Sequence, residues 1–400
     1  MRPVVLIPGF GGSVLVRKGE EYYKPHPLAP RKVLYNRWVN LAALTSPPSP
    51  TWRHDMYYTV KKEVDKEGIE RVVGFDNVPN IVPFDVGGTA GIKEIVPEFM
   101  YLNTSYKEKL DSIFNYKYFN AICESLYKNG YEDHVTLFGV PYDFRLVLDP
   151  MYRERLFNQF GKILTKSVHQ TGEKAVVVSH SLGGLLLKWF LTSNPYYQSM
   201  VDHWVSISTP FGGSHYSLRV ALCGDHYIPF FKATVREELA RCSGVIMCFP
   251  NDLAFSADEP LARVGSSATQ NISIKSYDQL ALEGNVQFQI WRDLYRPYLH
   301  LIEQPINVPM TAVASVNNST KALFSMKALG EMPTTLSTVE GDGIIVKKSL
   351  LAFQNMVMSN NLKDVLLEDH DHTSPLTDPQ IIQIIKSHAL PSRPSRVKRT

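Results

Sequence analysis

Ser181 lies in the run Ser179-His180-Ser181-Leu182-Gly183-Gly184, between the apolar residues 175–178 and the helix-forming residues 185–191. A sharp strand-to-helix turn lifts a serine toward a substrate carbonyl, and small neighbours let the surrounding main chain come close. The usual pattern is G-x-S-x-G; here Ser179 replaces the first glycine and is still small. The helix N-terminus favours a developing negative charge. The alternative role for Ser181 is a helix cap. A nucleophilic serine needs a base, and the base needs an acid to orient it. After such a turn the expected chain order is Ser, Asp/Glu, His. Asp342, between Gly341 and Gly343, is the candidate acid unless it marks only a turn. His372, in Glu368-Asp369-His370-Asp371-His372-Thr373, is the candidate base. His370 competes with it, but lies nearer the preceding strand, where it would point away or set the loop. The two histidines could instead form half a metal site, yet no other His/Asp/Cys cluster supplies the remaining ligands. No metal or organic cofactor is therefore expected.

Acyl transfer also needs backbone N–H groups aimed at the oxyanion, each worth about 10²–10³ in rate. One is expected from Leu182, the residue after the nucleophile. The second is expected from the turn Pro8-Gly9-Phe10-Gly11, with Phe10 N–H the best candidate; the alternative is a simple turn.

The elements that must hold these residues follow from periodicity. Residues 2–7, 135–138, 175–178, 204–208, 310–316 and 365–367 read as short strands. Continuous apolar strands suit a parallel sheet covered on both faces. Helices are expected at 118–129, where Phe119, Ile122, Cys123, Leu126 and Tyr127 share a face, at 152–170, and at 380–387. Strands alternating with helices predict an α/β fold with a mostly parallel central sheet. Residues 215–305 are poorly periodic, and 391–400 form a basic, proline-bearing tail expected to be disordered.

Composition narrows the class. The chain has 400 residues with 44% hydrophobic and 20% charged, which excludes a disordered or disulfide-stapled chain. Its 42 basic and 39 acidic residues give no nucleic-acid footprint. No apolar window reaches the roughly 18 residues of a spanning helix. Val4 to Ile7 is too short for a secretory signal, so the expectation is a cytoplasmic protein, peripheral on membranes, unless a signal lies outside this sequence. Cys123, Cys223, Cys242 and Cys248 lack a zinc pattern and read as buried free thiols, with a Cys242–Cys248 bridge the alternative.

The motifs Arg2-Pro-Val-Val-Leu-Ile-Pro-Gly-Phe-Gly-Gly-Ser13, Pro141-Tyr-Asp-Phe-Arg145, Ser179-His-Ser-Leu-Gly-Gly184, Ile207-Ser-Thr-Pro-Phe-Gly-Gly213, Gly341-Asp-Gly343 and the late His372 occur in this order. Together they resemble the lecithin:cholesterol acyltransferase family, which includes lysosomal phospholipase A, the phospholipid:diacylglycerol acyltransferases and related plant phospholipases. The resemblance implies an α/β-hydrolase domain over 1–390, with Ser181, Asp342 and His372 as triad and Phe10 and Leu182 as oxyanion donors. It also implies a membrane-contacting subdomain near 30–58 and a cap near 215–305. Trp38, Leu41, Leu44 and Trp52 would face lipid, since aromatic and apolar residues suit an interface; packing on the core is the alternative. The implied partners are a phospholipid substrate, a membrane surface and a lipid alcohol acceptor, with no nucleic acid; no oligomeric state is implied. Two departures stand out: the cysteine pair that bridges the membrane subdomain in secreted relatives is missing, and Ile344 stands where threonine is frequent. Asp143 and Arg145 read as a structural pair. The rival readings are a neutral-lipid or small-ester esterase and a catalytically inactive lipid-binding module, the latter disfavoured by intact Ser, Asp and His.

Overall fold

A computed structural model describes residues 1–19, 24–25, 32–33, 37, 50–95, 117–224, 236–265 and 270–390. Trp38, Leu41, Leu44, the tail 391–400 and most of the 30–58 segment lie outside these residues.

Among the described residues six strands form the central sheet: β1 (Val4–Ile7), β2 (Leu137–Gly139), β3 (Ala175–His180), β4 (Val201–Ile207), β5 (Met310–Ser315) and β6 (Leu362–Leu367). Their order is β6-β5-β4-β3-β1-β2, and every pairing is parallel. Alternation along the strands divides the core. Val5, Ile7 and Val177 face one side and pack with α2 (Pro150–Thr171) and α3 (Leu182–Ser193). Val4, Leu6, Val176 and Val178 face the other, with α1 (Asn120–Tyr127) and α5 (Pro379–Ala389). Each fully buried aliphatic side chain on these faces contributes about 1.5–3 kcal/mol. After β4, α4 (His215–Cys223) starts from the Ser214 cap and packs in the first of these clusters.

The helix ends follow from their capping residues. Asp149 accepts from the Tyr152 N–H, Pro150 opens α2, and Gly172 closes it at φ 69°. Asp378 caps α5 in the same way ahead of Pro379. Helix α3 begins at Leu182, three residues before the expected start, because the turn at Ser181 feeds directly into it. Strand β6 begins at Leu362, three residues before the expected 365, and is a half-polar edge strand whose Lys363 and Asp364 conceal it from an apolar-run criterion. A second sheet lies outside the strands that the apolar runs predict: Gln270–Ile272, Ala262–Val264, Asn318–Met326 and Thr334–Gly341. Ala262–Val264 pairs in parallel with Asn318–Met326, so the 215–305 stretch is hydrogen-bonded to the hairpin that leads to Asp342. The four cysteines are free and buried.

Among the described residues, His180, His203 and His215 are buried and kept neutral. Burial pushes His180 and His215 down to about 3 and His203 to about 4, aided by His372, Lys348 and His388 respectively. An unfolded histidine protonates near 6.5, so below that pH the unfolded state binds more protons. Stability should fall as pH drops from about 6.5 toward 4. Urea midpoints at neutral and mildly acidic pH test this; an unchanged midpoint would contradict it.

Candidate active site

The strand order reverses between β1 and β3, since β1 leads to β2 on one side and β3 to β4 on the other, and ligands in such sheets bind beyond the carboxyl ends of the strands at that switch. Ser181 is the residue after β3, at φ 50° and ψ −127°. A non-glycine residue is rarely found there, and holding it costs of order 1–3 kcal/mol. Its N–H donates to the Ile207 carbonyl at 2.9 Å and its carbonyl accepts from Gly184. The glycines are demanded by close approach: a Cβ on Gly183 would lie 2.3 Å from the Pro8 oxygen, and one on Gly184 2.0 Å from Thr209 Oγ1. Ser179, in place of the usual glycine, is buried and accepts the Trp204 indole N–H at 2.8 Å. That bond explains how the departure is accommodated.

His372 Nε2 lies 3.0 Å from Ser181 Oγ, and Nδ1 lies 2.6 Å from Asp342 Oδ2. A carboxylate only accepts, so Nδ1 carries the proton and Nε2 is free to take the serine's. Asp342 is fully buried, and its Oδ1 accepts the N–H groups of Ile344 at 2.9 Å and Ile345 at 2.7 Å. These bonds come from the main chain, so the threonine common at position 344 is not required for them. His370 turns away. Its Nδ1 donates to the Glu368 carbonyl at 2.7 Å and its Nε2 to Asp378 Oδ2 at 2.8 Å. With both nitrogens donating it is an imidazolium, and the Glu368 carbonyl and then Asp378 hold its pKa above the usual range. His370 thus clamps the loop to the α5 cap rather than acting on Ser181. Each histidine is committed to separate partners, so the pair does not share a metal-binding point.

Gly9 carries the β1 loop against the nucleophile: a Cβ there would be 2.8 Å from Ser181 Cβ. Phe10 follows, its ring edge-on to Phe144 at 4.7 Å. Leu182 opens α3, where an N–H has no intrahelical acceptor. Phe10 thus follows the glycine that packs on Ser181, and Leu182 follows Ser181 directly.

Asp143 and Arg145 form a buried pair, with Nε 2.9 Å from Oδ1 and Nη2 2.6 Å from Oδ2. Arg145 also donates to the Asp55 carbonyl, while its own carbonyl accepts from Tyr58 Oη at 2.6 Å and Ser243 Oγ at 2.7 Å. The pair fastens the Phe144 loop to residues 50–58 and to the segment after α4. Trp52 corrects an expectation: it is 2% exposed and part of the main core, so it does not face lipid. Its helix, Pro50–Met56, is tied inward through the Asp55 carbonyl.

The all-parallel sheet and the strand–turn–helix at Ser181 define the α/β-hydrolase fold. A chain in the crystal structure of the Tle4–Tli4 complex shares it, with TM-score 0.52 at 13% identity over 98% of this chain and 99% of that one. The family model described as lecithin:cholesterol acyltransferase matches residues 98–397, three quarters of the chain. The protein belongs to that family and is a serine acyl hydrolase or acyltransferase. Lecithin-cholesterol acyltransferase-like 1 of Arabidopsis thaliana is 23% identical over 94% of this chain and 87% of its own length. Phospholipase A(1) LCAT3 of the same plant is 22% identical over 99% and 92%. Human phosphatidylcholine-sterol acyltransferase is 26% identical over 64% of this chain and 54% of its own.

The geometry separates the histidines. His372→Ala should lower kcat by at least about 10³-fold, whereas His370→Ala should mainly lower stability and leave most of the turnover. Gly9→Ala, which forces the β1 loop away from Ser181, should reduce kcat by about 10²-fold while the protein remains folded by circular dichroism. Full activity of Gly9→Ala would contradict the packing described.

Proposed function

We propose that the chain is a serine phospholipase/O-acyltransferase acting on membrane phospholipid through Ser181, His372 and Asp342. The observation that carries this is the continuous Ser181–His372–Asp342 hydrogen-bond array at the head of α3. His372 Nε2 takes the Ser181 proton as Oγ attacks the acyl ester carbonyl. The backbone N–H groups of Phe10 and Leu182 receive the oxyanion. Collapse breaks the ester C–O bond, and His372 returns the proton to the departing lysophospholipid oxygen. The acyl-enzyme then passes its acyl group to water or to a lipid alcohol, whose proton His372 accepts. Asp342, sealed from water, holds the Nδ1 tautomer and stabilises the imidazolium throughout.

Residues 1–390 would form the hydrolase domain, with 30–58 a membrane-contacting insertion, 215–305 a cap, and 391–400 a basic tail adding weak attraction to anionic lipid. Trp38, Leu41 and Leu44 remain the lipid-facing candidates. Among the described residues no helix is long and apolar enough to cross a membrane, which supports peripheral contact. Four free thiols support a reducing, cytoplasmic setting.

Mass spectrometry of products from phospholipid vesicles, with and without a sterol or diacylglycerol, tests the reading. Fatty acid and lysophospholipid from wild type but not from Ser181→Ala are expected, and a new sterol or glyceride ester would make the enzyme a transferase. Hydrolysis of small esters alone would replace the reading by an esterase. Vesicle binding without any product from either protein would leave a lipid-binding module.

A further inference from the structure

His180 and Tyr118 do not touch the reacting atoms, yet both are buried beside them. The Gly9 N–H lies 2.7 Å from Tyr118 Oη, Tyr118 Oη lies 2.5 Å from His180 Nδ1, and His180 Nε2 lies 3.0 Å from the His372 carbonyl oxygen. The direction of this chain is determined by its ends. A carbonyl can only accept, so His180 Nε2 carries the proton. Burial pushes His180 down to about 3, so the ring is neutral and Nδ1 is a bare acceptor. Tyr118 must then donate to Nδ1, and its lone pair accepts the Gly9 N–H. Each group is used once, in one direction. Tyr118 is in turn fixed by its ring, 4.8 Å from Phe119 and 5.4 Å edge-on to His180, and by Gly12, where a Cβ would meet the ring at 2.7 Å.

We propose that Tyr118 and His180 are positioning residues that join the oxyanion loop to the base loop, so that Phe10 and His372 are held in register on either side of Ser181. This rests on the catalytic roles given above to Ser181, His372 and Phe10. Asp342 holds the His372 ring, while His180 holds its main chain. The residue before the nucleophile therefore does more than fill the turn. Because the joint acts on geometry rather than on substrate, its loss lowers kcat and leaves KM nearly unchanged.

The two ring nitrogens can be tested separately. In His180→Gln the amide nitrogen takes the place of Nε2 and keeps a donor for the His372 carbonyl. In His180→Asn the amide oxygen replaces Nδ1, keeping the Tyr118 contact and losing the bond to His372. Turnover of p-nitrophenyl butyrate, well below each variant's Tm, is compared for wild type, Ser181→Ala, both His180 variants and Tyr118→Phe. Each variant breaks one link of the joint, Gln the one to Tyr118 and Asn the one to His372, so both are expected to lose about 10- to 100-fold in kcat at near-constant KM. Tyr118→Phe should also lose kcat, since it frees the Gly9 N–H and the Nδ1 of His180. Wild-type kcat in either His180 variant, or losses that track Tm alone, would overturn the inference. If Ser181→Ala abolishes turnover while His180→Asn keeps all of it, the positioning role alone fails. If Ser181→Ala changes nothing, the catalytic reading fails and takes this role with it.

Discussion

The site depends on a single backbone constraint, the positive φ of Ser181. An L-residue at φ 50° and ψ −127° stays there only where its neighbours leave no other conformation. Strand β3 delivers it, α3 continues from it, and the Ile207 carbonyl on β4 holds its N–H. The β1 loop then presses in so closely that Gly9 and Gly183 leave no room for side chains. The parallel sheet, with helices on both faces, supplies the rigidity that keeps these strand ends in place.

Around that turn, charge is buried only where it is fully satisfied. Asp342 has no exposed surface, yet two main-chain N–H groups and His372 meet its oxygens. An unpaired carboxylate in that position would be strongly destabilising. Asp143 and Arg145 follow the same rule at the Phe144 loop, where both oxygens of the carboxylate meet the guanidinium. Breaking one partner of such a pair typically costs about 3–5 kcal/mol. The same rule explains the histidines. His370, partly exposed, is charged against Asp378, while His180, sealed from water, is neutral and donates only once.

Three loops therefore converge on Ser181 from distant parts of the chain: the turn after β1, the Gly341-Asp342-Gly343 turn and the loop after β6. The second sheet matters here because its long hairpin, Asn318–Met326 with Thr334–Gly341, ends at Asp342. Asn318 reaches back to the His370 carbonyl, so hairpin and base loop are joined directly. Asp342 and His372 are thus set by one connected assembly.

The sequence by itself determined the strand–turn–helix at Ser181, the parallel sheet and most of its helices. These are local matters: a β-branched run, a glycine beside a turn and a capping aspartate act on residues a few positions away. Membership of the family was likewise legible in ordered motifs. Only the tertiary structure decided which of two histidines, two residues apart, faces Ser181, because that depends on Asp378 and Asp342 competing for them across the fold. It alone placed Trp52 in the core, since an aromatic residue suits an interface and an interior equally well by type. It alone joined Tyr118 to His180 and His180 to His372, pairs separated by 62 and 192 positions. No local pattern marks such contacts, because they exist only once the sheet has brought its strand ends together.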